Sequence, residues 1–145
     1  MTPLEAISGI TLIGYFIFLF LSAREDLKTN YIEKKYIYIT FILALGYALM
    51  NGLFFNIMIL FPACFFICIL LERLNEMGEA DKYILSSYFL MFGFTEHIYI
   101  FISSYLLLLV FYYINKIRLG EKIDLRDQVP LLPSIFIASL CCLVL

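Results

Sequence analysis

The chain has 145 residues, of which 63% are hydrophobic and only 15% are charged. An average soluble domain is about 45–50% apolar and about 25% charged, and a small one has too much surface to bury this many apolar side chains. Disorder is excluded as well, because disordered chains combine low hydrophobicity with high net charge. The net charge of −2 gives no indication of a nucleic-acid partner. The composition therefore predicts a single integral membrane domain over residues 1–145, with the lipid bilayer as its solvent.

Charged residues divide the chain into apolar stretches that are long enough to cross a membrane. The first stretch precedes a polar segment at 24–35, and Lys and Arg are then absent from 36–72 and from 83–115. A turn signal at 50–52 divides the second stretch, and residues 93–97 interrupt the third. Since one crossing takes about 20 apolar residues, the pattern predicts an all-α bundle of six transmembrane helices. Their expected ranges are 4–22, 36–50, 53–71, 80–94, 97–115 and 129–145.

The distribution of basic residues predicts how the helices are oriented in the membrane. The chain has 10 Lys and Arg residues, and all of them lie in the segments 24–35, 73–82 and 116–126. With six crossings these segments follow helices one, three and five, so they face one compartment. Cytoplasmic loops are enriched in Lys and Arg, which predicts a plasma-membrane protein with both termini extracytoplasmic. The first apolar stretch has no basic region before it and no small-residue cleavage site after it, so it is not predicted to be a cleaved signal peptide.

Two acids in the basic segments stand out because of their expected position relative to the membrane. Asp26 is predicted to follow the end of helix one by about one turn. The apolar run 83–94 rises only about 18 Å, which is too short to cross a membrane. Helix four is therefore predicted to begin before this run, with Asp81 in its first turn. That helix must begin near Glu79 or Ala80 to approach about 30 Å of hydrocarbon. Two close carboxyl groups share one proton, so that one acts as a base toward water and the other as an acid. The alternative is that both are ordinary solvated loop acids.

The segments around these acids resemble the two motifs of the type IV prepilin peptidase and preflagellin peptidase family, which are membrane aspartic proteases. Residues 26–32 read Asp-Leu-Lys-Thr-Asn-Tyr-Ile and have the spacing of the first motif, with Glu33 in place of the family's Pro. Residues 78–81 read Gly-Glu-Ala-Asp and match the second motif. The Lys that usually follows two residues after that Asp is Tyr83 here. A weaker third similarity is the Val-Pro-Leu-Leu-Pro sequence at the start of helix six.

The resemblance implies that Asp26 and Asp81 are the catalytic pair, and that Gly78 and Ala80 support the backbone of the second motif. The implied reaction removes the short basic leader of a membrane-inserted, prepilin-like precursor at the cytoplasmic face, in type IV pilus assembly or protein secretion. Possible contacts on the substrate side are Glu79, Lys82 and Tyr83. Longer family members carry a cysteine-rich zinc segment and methylate the new terminus. This segment has no counterpart here, so neither methylation nor a metal or other cofactor is expected.

Other hypotheses are weighed against the peptidase. The departures at Glu33 and Tyr83 would suit a catalytically silent membrane subunit of a pilus or secretion assembly that keeps the peptidase fold. A small proton-coupled transporter would need acids near the bilayer midplane, and the predicted helix centres contain none. Cys64 and Cys68 are spaced to face one metal, but buried cysteines mostly behave as small apolar residues. The identity of the precursor and the oligomeric state are left open by the sequence.

Each charged residue near the second motif has two possible interpretations. Glu72, Glu76 and Glu79 either attract a basic leader peptide or form an ordinary solvated loop face, and we favour the solvated face. Lys82 either steadies Asp81 as a carboxylate or anchors helix four by extending its ammonium group to the interface, and we favour the anchor.

Overall fold

The computed structural model describes residues 2–29, 32–73, 79–93, 98–120 and 131–144. Within these ranges the chain forms six α-helices, and a five-residue π-helical segment, Asn56–Leu60, leads directly into the third. The prediction of an all-α fold is therefore confirmed. The helices are α1 (Pro3–Thr29), α2 (Lys34–Met50), α3 (Phe61–Arg73), α4 (Glu79–Phe92), α5 (Ile98–Arg118) and α6 (Leu132–Val144).

The largest difference from the predicted helices lies at the end of α1. The helix was expected to end at residue 22, but it continues to Thr29. The prediction that Asp26 follows helix one is therefore wrong, because Asp26 lies inside it. The polar segment 22–29 contains neither Gly nor Pro, and its Ala, Arg, Glu, Leu and Lys residues are strong helix formers. The sixth helix begins at Leu132 rather than at 129, and residues 121–130 lie outside the described ranges.

Local signals in the sequence account for several helix ends. At the start of α1 the Thr2 hydroxyl accepts a hydrogen bond from the Glu5 N–H at 3.2 Å, and the Glu5 carboxylate accepts one from the Thr2 N–H at 2.7 Å. This reciprocal arrangement is a capping box. The predicted turn at 50–52 is present, and Gly52 has a φ of 68°. Gly93, with a φ of 78°, ends α4 in the same left-handed region, which glycine adopts without steric cost.

The helices differ in length and in how much of their surface is buried. Three are long and apolar enough to cross a membrane: α1, the continuous helical segment Asn56–Arg73 and α5. The other three are shorter, with 17 residues in α2, 14 in α4 and 13 in α6. Residues 84–91 of α4 are all buried, because α4 packs against α2, α3 and α6. The short α4 is therefore the central helix of the bundle.

Contacts between helices distinguish the two ends of the bundle. At one end the Asn51 amide donates to the Ser8 hydroxyl at 2.9 Å, which joins the end of α2 to the start of α1. At the other end the rings of Tyr38 and Tyr83 lie 5.8 Å apart, which joins the start of α2 to the start of α4. Since α1 ends where α2 begins, the end of α1 and the start of α4 lie at the same end. Asp26 and Asp81 occupy these two positions.

Candidate active site

Asp26 belongs to the face of α1 that is buried in the bundle. Leu19, Ser22, Ala23 and Asp26 are all buried in α1, and their spacing of three and four residues places them on one side of the helix. The Asp26 side chain is only 8% exposed. A carboxyl group at this depth needs a polar partner, because burial without one costs free energy.

The partner of Asp26 is the first residue of α6. The Leu132 N–H donates a hydrogen bond to Asp26 Oδ2 at 3.3 Å. The first N–H groups of a helix have no partner within the helix, and Pro133 contributes no N–H at all. Asp26 therefore caps α6 from another helix. Burial disfavours the charged carboxylate, whereas the N–H and the positive end of the helix dipole favour it.

Asp81 lies in the first turn of α4, as the length of the apolar run predicted. The helix begins at Glu79, and the Asp81 side chain is half-buried. Asp81 and Lys82 both lie close enough to Cys68 of α3 to act on it electrostatically. A carboxylate in a first turn is also stabilised by the helix dipole.

The periodicity of α4 indicates which neighbour Asp81 faces. Residues seven apart lie on nearly the same face of an α-helix, and Tyr88 is seven residues after Asp81. The Tyr88 hydroxyl is 3.3 Å from the Cys142 thiol of α6. Asp81 thus lies on the side of α4 that is turned toward α6, between α6 and α3.

The two aspartates lie on different helices at one end of the bundle, and Asp26 contacts the start of α6. Both helices that carry them pack against α2 and α6, and both residues lie at the same end of the bundle. Asp26 accepts its hydrogen bond from the Leu132 N–H, and Asp81 is close enough to Cys68 to act on it electrostatically.

The remaining residues of the second motif are only partly described. Ala80 is half-buried and packs against the hydrophobic core. Gly78, and Glu76 before it, lie outside the described residues, as does the side chain of Glu79. His97 lies outside them as well. The expected backbone role of Gly78 therefore stays a prediction.

Tyr83, a predicted substrate-side candidate, packs among aromatic rings inside the bundle. Its ring lies 5.8 Å from Tyr38 and 6.2 Å from Phe41 of α2, and 5.5 Å from Phe65 of α3. Aromatic pairs at such distances stabilise packing beyond the area that they bury. The side chain at this position therefore joins α4 to α2 and α3.

Lys82 and Glu72 form one ion pair, although the sequence predicted separate roles for them. Lys82 is 9% exposed, and its Nζ lies 2.6 Å from Glu72 Oε2. The ammonium group also lies 5.8 Å from the centre of the Phe65 ring and 5.3 Å from that of Tyr83. Glu72 is thus paired rather than part of a solvated face, and Lys82 is buried rather than extended to the interface.

Glu33, which stands where the related motif has Pro, keeps a backbone conformation that Pro adopts. Its φ is −63°, within the range fixed by a pyrrolidine ring. Its N–H, which Pro lacks, donates to Glu25 Oε2 at 3.1 Å. The carboxylate of Glu33 pairs with Lys35. The backbone φ of Glu33 is therefore compatible with Pro, and its N–H is bound by a side-chain acceptor.

The thiols of α3 lie in the packed interface with α4. Cys64 and Cys68 have their sulfur atoms 4.0 Å apart, and the Ser86 hydroxyl donates to Cys64 Sγ at 3.9 Å. Within the described part of the chain, no group of three or more His, Cys, Asp or Glu side chains is placed to hold a metal ion.

Two features of this site were not predicted from the sequence. The Leu132 N–H was missed, although Pro133 at the start of α6 is a signal that the preceding N–H needs an outside partner. The pairing of Lys82 with Glu72 was missed because the two residues are separated by the segment between α3 and α4. The sequence feature that could have indicated this pairing is the position of Lys82 in the first turn of a helix. The helix dipole disfavours a cation there, so the Lys needs an acidic partner.

Comparison with known proteins identifies the family of the chain. A sequence model of the type IV leader peptidase family matches residues 13–113, which is more than half of the chain. The chain belongs to the type IV leader peptidase family. Comparisons with curated proteins and with solved structures found no match. The matched range contains Asp26 and Asp81, together with most of α1 and all of α2, α3 and α4.

Membership of the type IV leader peptidase family establishes the broad class of this protein. It is a protease, hence a hydrolase, and the family implies a prepilin-type membrane substrate. The three long apolar helices agree with a membrane protein. The resemblance seen in the two short motifs is thereby confirmed at the level of the family.

Proposed function

We propose that the protein is a membrane-embedded aspartic endopeptidase that removes the basic leader of a type IV prepilin-like precursor. Asp26 and Asp81 are the catalytic residues. The observation that carries the proposal is the placement of both carboxyl groups at one end of the bundle, on helices that share α6 as a neighbour. Family membership supports the same reaction class.

The proposed chemistry uses one proton shared between the two carboxyl groups. The ionised carboxylate takes a proton from a water molecule, whose oxygen attacks the carbonyl carbon of the scissile bond. The protonated carboxyl group donates its proton to the carbonyl oxygen. The first carboxyl group then gives the proton taken from water to the amide nitrogen, and the second recovers its proton from a hydroxyl of the tetrahedral intermediate. The carbon–nitrogen bond breaks, which releases an amine and a carboxylic acid. In the precursor-bound state both carboxyl groups contact this one water molecule.

The proposed topology places this chemistry at the cytoplasmic face of the plasma membrane. Six helices cross the bilayer, both termini are extracytoplasmic, and residues 1–145 form one peptidase domain. The basic residues near the aspartates support this orientation, since Arg24, Lys28 and Lys34 follow the apolar part of α1. The precursor presents a short basic leader followed by an apolar helix, as in signal-peptide processing for pilus assembly or secretion.

Replacement of each aspartate by Asn tests the proposal. Asn keeps the size of the side chain but neither takes nor donates the catalytic proton, so cleavage should fall by about 10²- to 10⁴-fold. The assay is co-expression with a prepilin-like precursor, followed by separation of the cut and uncut forms. Glu25→Gln is the matched control: it neutralises the acid beside Asp26, keeps an oxygen acceptor for the Glu33 N–H, and should leave cleavage unchanged.

The outcomes separate the proposal from its competitor. If either Asp26→Asn or Asp81→Asn cuts the precursor at the parent rate, the proposed pair is wrong. If the parent chain leaves the precursor uncut while parent and variants support pilus assembly equally, the silent-subunit hypothesis is favoured instead.

A further inference from the structure

Lys82 occupies a position that is unfavourable for an isolated cation. It lies in the first turn of α4, where the positive end of the helix dipole repels an ammonium group. It is also only 9% exposed, so its charge has lost most of its hydration. A buried cation at this position therefore requires compensation from its surroundings.

The compensation comes from the last turn of α3. Glu72 Oε2 lies 2.6 Å from Lys82 Nζ, and the two side chains are 33% and 11% exposed respectively. The faces of Phe65 and Tyr83 flank the same ammonium group, and aromatic faces attract cations. Because the medium around this pair is poorer in water than the surface, the attraction is stronger than between solvated charges.

The ion pair connects the two helices on either side of the segment 74–78. Glu72 is next to the last residue of α3, and Lys82 is in the first turn of α4. Lys82 is also the immediate neighbour of Asp81. The ion pair that holds Lys82 against α3 therefore fixes the rotation of the first turn of α4 about the helix axis and its position along that axis. This turn carries Asp81.

We propose that Lys82 is a positioning residue, which acts through its ion pair with Glu72 to aim Asp81 toward the start of α6. This inference rests on the proposed function of Asp81. Adjacent residues of an α-helix point about 100° apart, so anchoring Lys82 on α3 holds Asp81 on the adjacent side of α4, which is turned toward α6. Lys82 has no contact with the precursor in this role, in contrast to the substrate-side contact suggested by the motif.

The test measures kcat and KM of the full-length chain, per folded enzyme, with a prepilin-like precursor in detergent micelles or vesicles. Glu72→Gln and Lys82→Met each break the ion pair, and we expect kcat to fall by about tenfold or more while KM changes by less than about twofold. The double exchange Glu72→Lys with Lys82→Glu restores opposite charges, and should recover kcat to within about threefold of the parent.

Matched variants separate positioning from general stability. Lys82→Arg keeps the cation and should retain kcat. Lys35→Met removes the cation of an exposed pair, whose side chains are 58% and 48% exposed, and should also leave kcat unchanged. If Lys82→Met does not fold, Glu72→Gln and the double exchange still give the comparison, because both keep polar groups at the two positions.

Three results would overturn the inference. An unchanged kcat in Glu72→Gln and Lys82→Met means that the pair does not position Asp81. A raised KM with unchanged kcat assigns Lys82 to substrate binding. A double exchange as slow as the single variants shows that the pairing itself is not the cause. Asp26→Asn in the same assay tests the proposed function separately, since its full activity would reject the catalytic pair whatever Lys82 does.

Discussion

The two aspartates of this protein are held in place by different kinds of contact. Asp26 is buried and accepts a hydrogen bond from a backbone N–H at the start of α6. Asp81 is half-buried, and the residue beside it is anchored by a side-chain ion pair. A backbone donor is present whatever side chain stands at 132, except Pro. An ion pair needs two particular residues, so the surroundings of Asp81 depend far more on the sequence than those of Asp26.

The largest expected effect comes from removing the backbone donor. Leu132→Pro deletes the N–H that caps Asp26 and truncates a side chain that is fully buried. Leu132→Ala is the matched control, because it truncates the side chain but keeps the N–H. We expect Leu132→Ala to lower the free energy of unfolding by about 2–5 kcal/mol, and Leu132→Pro to lower it by about 1.5–3 kcal/mol more. Denaturation in detergent micelles measures both; equal values would show that the hydrogen bond contributes nothing.

The next effect separates the structural role of Asp26 from its proposed catalytic role. Asp26→Asn keeps an oxygen that accepts from Leu132, whereas Asp26→Ala leaves that N–H without its partner. Asp26→Ala should therefore be less stable than Asp26→Asn by about 1–3 kcal/mol. Both variants should be inactive in the precursor assay. A stable but inactive Asn variant beside an unstable Ala variant would demonstrate that one side chain performs two tasks.

A smaller effect is expected where the chain departs from the second motif. Tyr83→Lys restores the usual residue of the motif but places an ammonium group among the rings of Tyr38, Phe41 and Phe65. The lost ring contacts should cost about 1–2 kcal/mol of stability. Tyr83→Phe keeps the ring and should remain close to the parent in a thermal unfolding measurement. A Lys variant as stable as the parent would mean that the aromatic packing does not hold α4.

The smallest effect is expected at the departure from the first motif. Glu33→Pro suits the observed φ and restricts the unfolded chain, which stabilises by about 0.4–1 kcal/mol. It also removes the N–H that bonds to Glu25, which costs a similar amount at an exposed site. The net change in stability should be within about 1 kcal/mol, with cleavage retained. Glu33→Ala, which keeps the N–H, is the control; loss of cleavage in the Pro variant alone would give this hydrogen bond a functional role.

The helices themselves could be predicted from the sequence because apolar runs and charged segments alternate along the chain. The length of the apolar run 83–94 predicted that α4 begins near Glu79 or Ala80 and includes Asp81, and the helix begins at Glu79. The end of α1 was misplaced because the residues from Ser22 to Thr29 are polar, and polarity alone does not distinguish a loop from a helix that leaves the membrane. The high helix propensity of several of these residues, together with the absence of Gly and Pro, predicts that the helix continues to Thr29.

The partners of the two aspartates were beyond local patterns in the sequence. Asp26 and Leu132 are 106 positions apart. Every residue except Pro has a backbone N–H, so the residue type does not reveal which N–H is the donor. Glu72 and Lys82 are closer, 10 positions apart, but their pairing depends on how the chain turns between α3 and α4. Motif spacing identified the acids; only the packing of α6 and α3 shows what surrounds them.

The short lengths of α4 and α6 have a consequence for the lipid around the protein. At 14 and 13 residues, α4 and α6 are about 21 and 20 Å long, whereas the 27 residues of α1 extend about 40 Å. In the proposed topology, in which α4 and α6 cross the bilayer, a hydrocarbon layer of about 30 Å is thicker than either helix is long. Such hydrophobic mismatch is relieved by local thinning of the bilayer. If α6 crosses the bilayer as proposed, the membrane surface beside it should dip toward Asp26, which would bring the water of the proposed hydrolysis closer to the carboxyl groups.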